Sequence, residues 1–280
     1  MSDDGRMGGI RTRRLGRTGL HVTELGLGAM DTPGSAEALA TIEAAAAVGI
    51  TFIDTAREYA GSEYLLGQFI RSHGAAPFRI ATKTFRRTAD GAQHEVDRSL
   101  SVLGVPFIDL YQLHDISTEG AWEEAMSARG ALEGLKVAQY RGLIGHIGVS
   151  SHDLGIAERA VRSGEFDTVM VEYSAFFPES APLIELAAER DVGVIVMRPL
   201  GGSGRMSVIR GLMERGEAGV LTPANLLRYA WSHPGVSVAI PGARYPSRVH
   251  ENASIAADYA PMSAAERREL EAAARRLYDG

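Results

Sequence analysis

The sequence has no cysteine in its 280 residues. This absence excludes disulfides, a thiolate nucleophile and thiolate-ligated metal sites. No apolar run is long enough to cross a bilayer, and the first residues, MSDDGRMGG, lack the apolar core of a signal peptide. We therefore expect a cytoplasmic protein that has no membrane partner, with a flexible segment over residues 1–9.

Basic residues are outnumbered by acidic ones. The chain has 29 Lys and Arg against 35 Asp and Glu, a formal net charge of -6. Binding to a phosphate backbone needs a basic face, so nucleic acid is excluded as a partner. A GxGxxG motif after an apolar run is also missing. The sequence therefore gives no support to a doubly wound dinucleotide-binding domain.

Eight short apolar runs recur along the chain, with amphipathic helical segments between them. In order they are ELGLG, ITFID, FRIATK, FIDLYQLH, LIGHIGVS, TVMVEYS, VGVIVMR and VSVAIPG. Alternating strands and helices predict parallel strands joined by crossovers, and eight such units close into a barrel. We predict an α/β fold, a (β/α)8 TIM barrel forming a single domain over residues 10–280.

Further elements are predicted outside and between these units. RRLGRTGLHVTELG, with RTG between two alternating runs, predicts an N-terminal β-hairpin at the bottom of the barrel. Gly49 and Gly74 suit the ends of the first two helices, and Ser62 is a candidate cap for the second. A further C-terminal helix follows the eighth unit, with Ser263 and Glu266 as a capping box.

Polar side chains follow three successive predicted strands. Asp54 ends the second strand, Lys83 the third and His114 the fourth, and Tyr59 comes one turn after Asp54. Taken singly, each has a structural reading: a turn cap, a solvated strand end and a core histidine. Their equivalent positions favour a shared role, because catalytic residues of such barrels collect at the carboxyl ends of the strands.

These four side chains can form a proton donor. A tyrosine has an ordinary pKa of about 10, and a lysine about 4 Å away offers the tyrosinate about 4 kcal/mol of attraction. We therefore expect Lys83 to move the pKa of Tyr59 towards neutrality. Asp54 would hold Lys83 charged, and His114 could hold a carbonyl oxygen. These four side chains together predict a general acid that protonates a developing alkoxide.

A reaction that forms an alkoxide needs a nucleophile, which no side chain supplies, whereas a nicotinamide cofactor would. The loops after the seventh and eighth strands are the usual phosphate site of this barrel. The first reads RPLGGSGR, with Arg198 and Arg205, and the second reads IPGARYPSRVHEN, with Arg244 and Arg248 near a helix start. Glycine-rich loops of this kind also occur as plain flexible connections.

The chain resembles the aldo-keto reductase superfamily along nearly its whole length. The resemblance runs through RRLGRTGLHVTELGLGAM, GITFIDTAREYAGSE, IATK, DLYQLH, GHIGVSS, VEYS, RPLGG and AIPGARYPSRVHEN. It implies a barrel that reduces aldehydes and ketones, small-molecule carbonyl substrates, with NADPH. It also implies that Tyr59 is the general acid, that Lys83 and Asp54 tune it, and that His114 orients the carbonyl.

The resemblance also implies the cofactor contacts. Ser150 and Ser151 would touch the nicotinamide amide; Met170 and Met197 stand where many members have a glutamine and an aromatic residue. Gly242 replaces a frequent lysine, so the 2′-phosphate of NADPH would rely on Arg248 and Arg244, with NADH as the alternative cofactor. The remaining contacts would come from Gly28, Ala29, Arg198, Pro199, Leu200, Gly201, Gly202, Pro241, Ala243, Glu251 and Asn252. Met30 and Phe85 would line the substrate pocket.

Other functions fit parts of the pattern. A Schiff-base aldolase would use Lys83 as a nucleophile of depressed pKa, although a paired Asp54 opposes this. A non-catalytic module that binds NADPH and senses redox state would keep the cofactor site alone. No two histidines have metal-ligand spacing on one strand or helix, so no metal is expected. The sequence leaves open the natural substrate, the direction of reaction and whether the chain is a monomer or a homo-oligomer.

Overall fold

The computed structural model describes residues 5–73 and 78–279. Its first three strands, β1 (Arg6–Met7), β2 (Ile10–Arg14) and β3 (His21–Thr23), form an antiparallel sheet in that order. The pairing of β2 with β3 confirms the predicted hairpin. Of the segment predicted to be flexible, residues 1–4 lie outside the described residues, and the strand β1 occupies residues 6–7.

The other eight strands form one parallel sheet in chain order. They are β4 (Leu27–Gly28), β5 (Phe52–Asp54), β6 (Arg79–Thr84), β7 (Ile108–Leu113), β8 (Ile144–Ser150), β9 (Thr168–Glu172), β10 (Gly193–Met197) and β11 (Val238–Ala239). Parallel bridges between Leu25 and Ala239 and between Gly28 and Gly242 join the first of these strands to the last. The sheet is therefore closed, and the predicted (β/α)8 barrel is confirmed.

Helices surround the sheet. They are α1 (Ala38–Ala47), α2 (Ser62–His73), α3 (Ala89–Leu103), α4 (Glu119–Met126), α5 (Ala131–Tyr140), α6 (Leu154–Ser163), α7 (Ala181–Glu189), α8 (Ser203–Glu214), α9 (Pro223–Trp231), α10 (Pro246–Ala257) and α11 (Ala264–Asp279). Gly49 follows α1 with a φ of +85°, a conformation that glycine adopts without strain. Gly74, the predicted end of α2, lies outside the described residues. The predicted C-terminal helix is α11, and Ser263 and Glu266 form its capping box through two reciprocal hydrogen bonds.

The hairpin closes the bottom of the barrel. Leu15 and Val22 are fully buried among the side chains inside the sheet, beside Phe52, Leu110 and Ile195. Burying a large aliphatic side chain contributes about 1.5–3 kcal/mol, so this plug stabilises the bottom and leaves the carboxyl ends of the strands for other groups. Among the described residues, no helix is long and apolar enough to span a membrane.

Candidate active site

The pleat of the strands brings the predicted polar residues into the barrel. Side chains two positions apart point to the same face of a strand, and Phe52 and Leu110 are buried inside the sheet. Asp54 therefore points inward on β5, and Gln112 on β7. Lys83 pairs with Gln112 in the register between β6 and β7. These three side chains meet at one level, near the carboxyl ends of the strands.

Lys83 lies at the centre of this group. Its ammonium donates hydrogen bonds to Oδ2 of Asp54 at 2.6 Å, to the carbonyl of Thr55 at 2.8 Å and to the phenol oxygen of Tyr59 at 3.2 Å. Gln112 donates to the other carboxylate oxygen of Asp54 at 3.2 Å. All three ammonium hydrogens are thus engaged, and the side chains of Lys83 and Asp54 are 1% and 3% exposed. The lysine is held in a single position.

The electrostatics of this group differ in part from the expectation. Burial would lower the pKa of Lys83, but the carboxylate of Asp54 raises it above its ordinary value, opposite to the shift that a Schiff-base lysine needs. Burial raises the pKa of Tyr59, and the Lys83 charge opposes this without overcoming it. Lys83 lowers the pKa of Tyr59, as expected, but the expectation that it outweighs burial and brings this pKa towards neutrality is wrong. Tyr59 keeps its proton at neutral pH.

His114 lies beside the phenol. The rings of Tyr59 and His114 meet edge to face with centroids 5.5 Å apart, and the Phe85 ring stacks on the imidazole with centroids 4.1 Å apart. Nδ1 of His114 lies 3.1 Å from Oε2 of Glu58, a carboxylate absent from the predicted site. Phe85 and Met30, the predicted pocket walls, are 42% and 57% exposed at the rim.

A buried ionic network anchors the loop that carries Tyr59. Arg57 donates to the carboxylates of Glu63 on α2 and Glu95 on α3, and Glu63 also accepts hydrogen bonds from Thr82 and Ser99. Burial would lower the pKa of Arg57, but the hydrogen bonds from its guanidinium to the two carboxylates raise it above its ordinary value. The network ties residues 55–63 to two helices and one strand.

The predicted cofactor residues near the barrel seam lie together. The N–H of Gly28 donates to the carbonyl of Pro241 at 3.1 Å, and the N–H of Ala29 donates to that of Asp54 at 2.9 Å. A Cβ at Gly28 would lie 2.7 Å from the carbonyl oxygen of Ile240, so only glycine fits this approach of backbones. The exposed Gly242 follows at the rim, and Ala243 beyond it is buried.

The loop after β10 forms a cradle at the start of α8. Gly201 and Gly202 have φ angles of +81° and +92°, which favour glycine, and Gly202 directly precedes the twelve-residue helix. The unpaired N–H groups of a helix start favour anions. Arg198, also in the left-handed region, donates to Glu172 at 2.9 Å. Pro199 is buried and Leu200 half-buried in the same loop.

A second cluster of charge lies between α8 and α10. Oε2 of Glu251 accepts hydrogen bonds from Arg248 and from Arg210, each at 2.9 Å. Arg210 is absent from the predicted site, because only the packing of α8 brings it there. Arg244, by contrast, pairs with Asp31 at 3.6 Å. The predicted residue Asn252 is buried on α10.

The remaining predicted contacts lie on β8, β9 and β10 or directly after β8. Oγ of Ser150 accepts from the N–H of Asp115, and Oγ of Ser151 donates to the carbonyl of Ile116 at 2.7 Å. Both hydroxyls thus bind neighbouring backbone. Met170 is buried inside the sheet, and Met197 packs half-buried on the same cluster.

The chemistry of these groups suits a dinucleotide. The backbone N–H groups at the start of α8 can donate to phosphate, and Arg248 and Arg210 provide cationic donors. Within the described residues, no group of three or more histidine and carboxylate side chains is placed to bind a metal ion.

Comparisons with known proteins identify the family of the chain. The sequence model of the aldo/keto reductase family matches residues 24–218, and the chain belongs to this family. An uncharacterized oxidoreductase of Bacillus subtilis is 28% identical over 206 residues, which cover 68% of this chain and 65% of that protein. An NADP(+) aldo-keto reductase of Schizosaccharomyces pombe is 29% identical over 215 residues, covering 69% and 62%. The chain thus spans less than two thirds of the length of these relatives.

A solved structure shows the same fold. The holo form of an aldo-keto reductase from Bacillus halodurans superposes with a TM-score of 0.76, covering 94% of this chain and 96% of that one at 24% sequence identity. The predicted membership of the aldo-keto reductases is confirmed.

Proposed function

We propose that this protein reduces an aldehyde or ketone to an alcohol, with Tyr59 as the proton donor and NADPH as the cofactor. One observation carries the proposal: Lys83 donates to Tyr59 at 3.2 Å while Asp54 holds the same ammonium at 2.6 Å. An ammonium has no acceptor, so the phenol oxygen accepts this bond and its own hydrogen remains available for a carbonyl oxygen.

The roles of the side chains follow from the direction of the hydrogen bond from Lys83 to Tyr59. As negative charge develops on the carbonyl oxygen, Tyr59 transfers its proton, and the ammonium of Lys83 stabilises the tyrosinate that remains. Asp54 holds that ammonium, and Gln112 fixes Asp54. His114, beside the phenol, orients the carbonyl oxygen. The reaction is reversible, so the same groups accept a proton when an alcohol is oxidised.

When bound, the nicotinamide cofactor supplies a hydride to the carbonyl carbon. The 2′-phosphate of NADPH would be bound by Arg248 and Arg210, and the pyrophosphate by the N–H groups at the start of α8. The name of the relative from S. pombe, which includes NADP(+), supports the same cofactor. Glu251, which holds both arginines, sets their position.

The rim of the site favours a small substrate with an apolar part. Phe85 and Met30 are large side chains that remain exposed beside the carboxyl ends of the strands. Such groups offer contact to a hydrocarbon segment next to the carbonyl. We therefore place aldehydes and ketones carrying aromatic or aliphatic groups first in a substrate panel.

The first test compares the wild type with Tyr59→Phe. NADPH oxidation is followed against small aldehydes, ketones, dicarbonyls and sugars, and NADPH binding is measured by fluorescence quenching. The wild type should turn over at least one class, and the variant should bind NADPH equally but lose at least 100-fold in kcat. Tyr64→Phe, which changes a 58% exposed tyrosine on α2, is the matched control and should retain full activity.

Two outcomes contradict the proposal. NADPH binding without turnover by the wild type on every substrate would favour the non-catalytic module. Full activity in Tyr59→Phe would remove the proton-donor role.

A further inference from the structure

Glu58 makes two contacts at the edge of the candidate active site. Its Oε2 lies 3.1 Å from Nδ1 of His114, and its Oε1 accepts the N–H of Phe85 at 2.8 Å. The Phe85 ring is stacked on the imidazole with an angle of 7° between the planes. One carboxylate oxygen of Glu58 thus contacts Nδ1 of the imidazole. The other oxygen binds the N–H of Phe85, whose ring covers one face of the imidazole.

The charge of Glu58 decides which atom carries the hydrogen in its contact with His114. Burial would raise the pKa of Glu58, but hydrogen bonds from His114 and from the Phe85 N–H lower it below its ordinary value. The group is therefore a carboxylate at neutral pH, and a carboxylate only accepts hydrogen bonds. Nδ1 of His114 is consequently the donor and carries a hydrogen.

The other ring nitrogen, Nε2, makes no hydrogen bond to any described residue. In a neutral imidazole only one nitrogen is protonated, so a ring whose Nδ1 bears the hydrogen has a lone pair at Nε2. Nε2 gains a hydrogen only when the ring becomes an imidazolium.

We propose that Glu58 is a positioning residue that fixes His114 in the Nδ1–H form, so that Nε2 donates to a carbonyl only as an imidazolium and accepts from an alcohol when neutral. This inference rests on the proposed function and deepens it. In this scheme the imidazolium of His114 binds the carbonyl through Nε2, and the neutral ring binds the alcohol.

Other charged groups lie near the imidazole of His114 and make their hydrogen bonds elsewhere. Arg87 donates to the backbone carbonyls of His114 and Asp115 rather than to the imidazole. Lys83 is engaged by three other acceptors. The titratable and charged groups around His114 are Asp54, Glu58, Tyr59, Lys83, Arg87 and Asp115. Of these, Glu58 contacts a ring nitrogen directly.

The tautomer can be read in the protein alone, without cofactor or substrate. Nitrogen-15 spectra of the histidine rings are recorded at a pH where His114 is neutral, and its signal is assigned with His114→Gln. The wild type should show the Nδ1–H tautomer, and Glu58→Gln should show a mixture with Nε2–H. A wild-type ring in the Nε2–H form would overturn the inference, whatever the activity of the protein.

Kinetics supply the second readout. In Glu58→Gln the neutral ring can adopt the Nε2–H form and donate to a carbonyl. At one pH, the ratio of the KM for a carbonyl substrate to the KM for the product alcohol should therefore be lower in Glu58→Gln than in the wild type, by up to about tenfold, as for one hydrogen bond. An equal ratio in both proteins would contradict the inference.

The control is Glu43→Gln. Glu43 lies 3.5 Å from Nε2 of His73, in a second Glu–His contact whose side chains are both 44% exposed. This variant removes the same charge outside the candidate site and should leave the ratio of the two KM values and the His114 signal unchanged. If the wild type reduces no carbonyl, the proposed function fails, while the nitrogen-15 result still decides the tautomer.

Discussion

Nζ of Lys83 and Oδ2 of Asp54 are 2.6 Å apart, with both side chains almost fully buried. Removing one partner of such a pair leaves an uncompensated charge in the interior, which costs about 3–5 kcal/mol. We expect Asp54→Asn to lower the free energy of unfolding by about that amount at pH 7, measured by urea denaturation. The double variant Asp54→Asn/Lys83→Met should be less destabilised than the single one, and equal losses would contradict this.

The same pair predicts a pH dependence. The pKa of Lys83 in the folded wild type is raised, so the stability it contributes is fully present below the ordinary lysine pKa of about 10.4 and is lost above the folded pKa. Without Asp54, burial alone would lower the folded pKa. The stability of Asp54→Asn should then increase with pH, and its deficit should be smaller at pH 9.5 than at pH 7. A constant deficit would show that Lys83 keeps its charge in the variant.

The sequence predicted the barrel and the set Asp54, Tyr59, Lys83 and His114 because both follow from short-range pattern. The eight apolar runs correspond to the barrel strands, and the polar residues at the carboxyl ends of three of them share one end of the sheet. Their meeting follows from parallel strands and the two-residue pleat. Neither argument depends on how the helices pack.

Features that depend on packing were missed or misjudged. Arg210 on α8 binds Glu251 on α10, 41 positions away, and no spacing in the sequence indicates this contact. Ser62 was a candidate cap, but its hydroxyl binds Thr55 and the carbonyl of Ala29. The predicted pKa shift of Tyr59 was wrong because the sequence shows which charges are present but not how deeply the phenol is buried. Glu58 lies next to Tyr59 in sequence, yet its partner His114 is 56 positions away.

Arg210 should contribute to the proposed binding of NADPH. Charge-assisted hydrogen bonds to a phosphate are worth about 1.5–3 kcal/mol, so Arg210→Ala should raise the Kd for NADPH at least tenfold and change the Kd for NADH less than threefold. Arg215→Ala is the matched control, because Arg215 follows α8 and pairs with Glu217 at the exposed surface. Titration by fluorescence measures both constants. Equal losses for the two cofactors would exclude a contact with the 2′-phosphate.

Arg57 should be required for the position of Tyr59. Arg57→Gln leaves Glu63 and Glu95 without their shared cation, and the loop between β5 and α2 loses its anchor. We expect a kcat at least tenfold lower and a reduced thermal midpoint. Arg86→Gln is the control, since Arg86 also faces Glu95, but at 3.7 Å and with a side chain 65% exposed. If both variants behave alike, the network does not position the tyrosine.

His233 should make the fold sensitive to acid. The residue is 4% exposed, and its Nδ1 accepts the N–H of Gly235 at 3.2 Å, so it is neutral in the folded chain. Burial and the nearby charge of Arg267 lower its pKa. The folded state therefore binds fewer protons than the unfolded state, and stability present above about pH 6.5 is lost as the pH falls towards the folded pKa.

Urea denaturation between pH 7.5 and pH 5 tests this role of His233. The free energy of unfolding of the wild type should decrease over the range, and His233→Gln should decrease less steeply because it cannot take up the proton on unfolding. His94→Gln, at an exposed position on α3, should retain the wild-type slope. A neutral buried imidazole binds its proton only in the unfolded chain, so its removal should reduce the dependence of the free energy of unfolding on pH. An unchanged dependence in His233→Gln would assign the acid sensitivity to other groups.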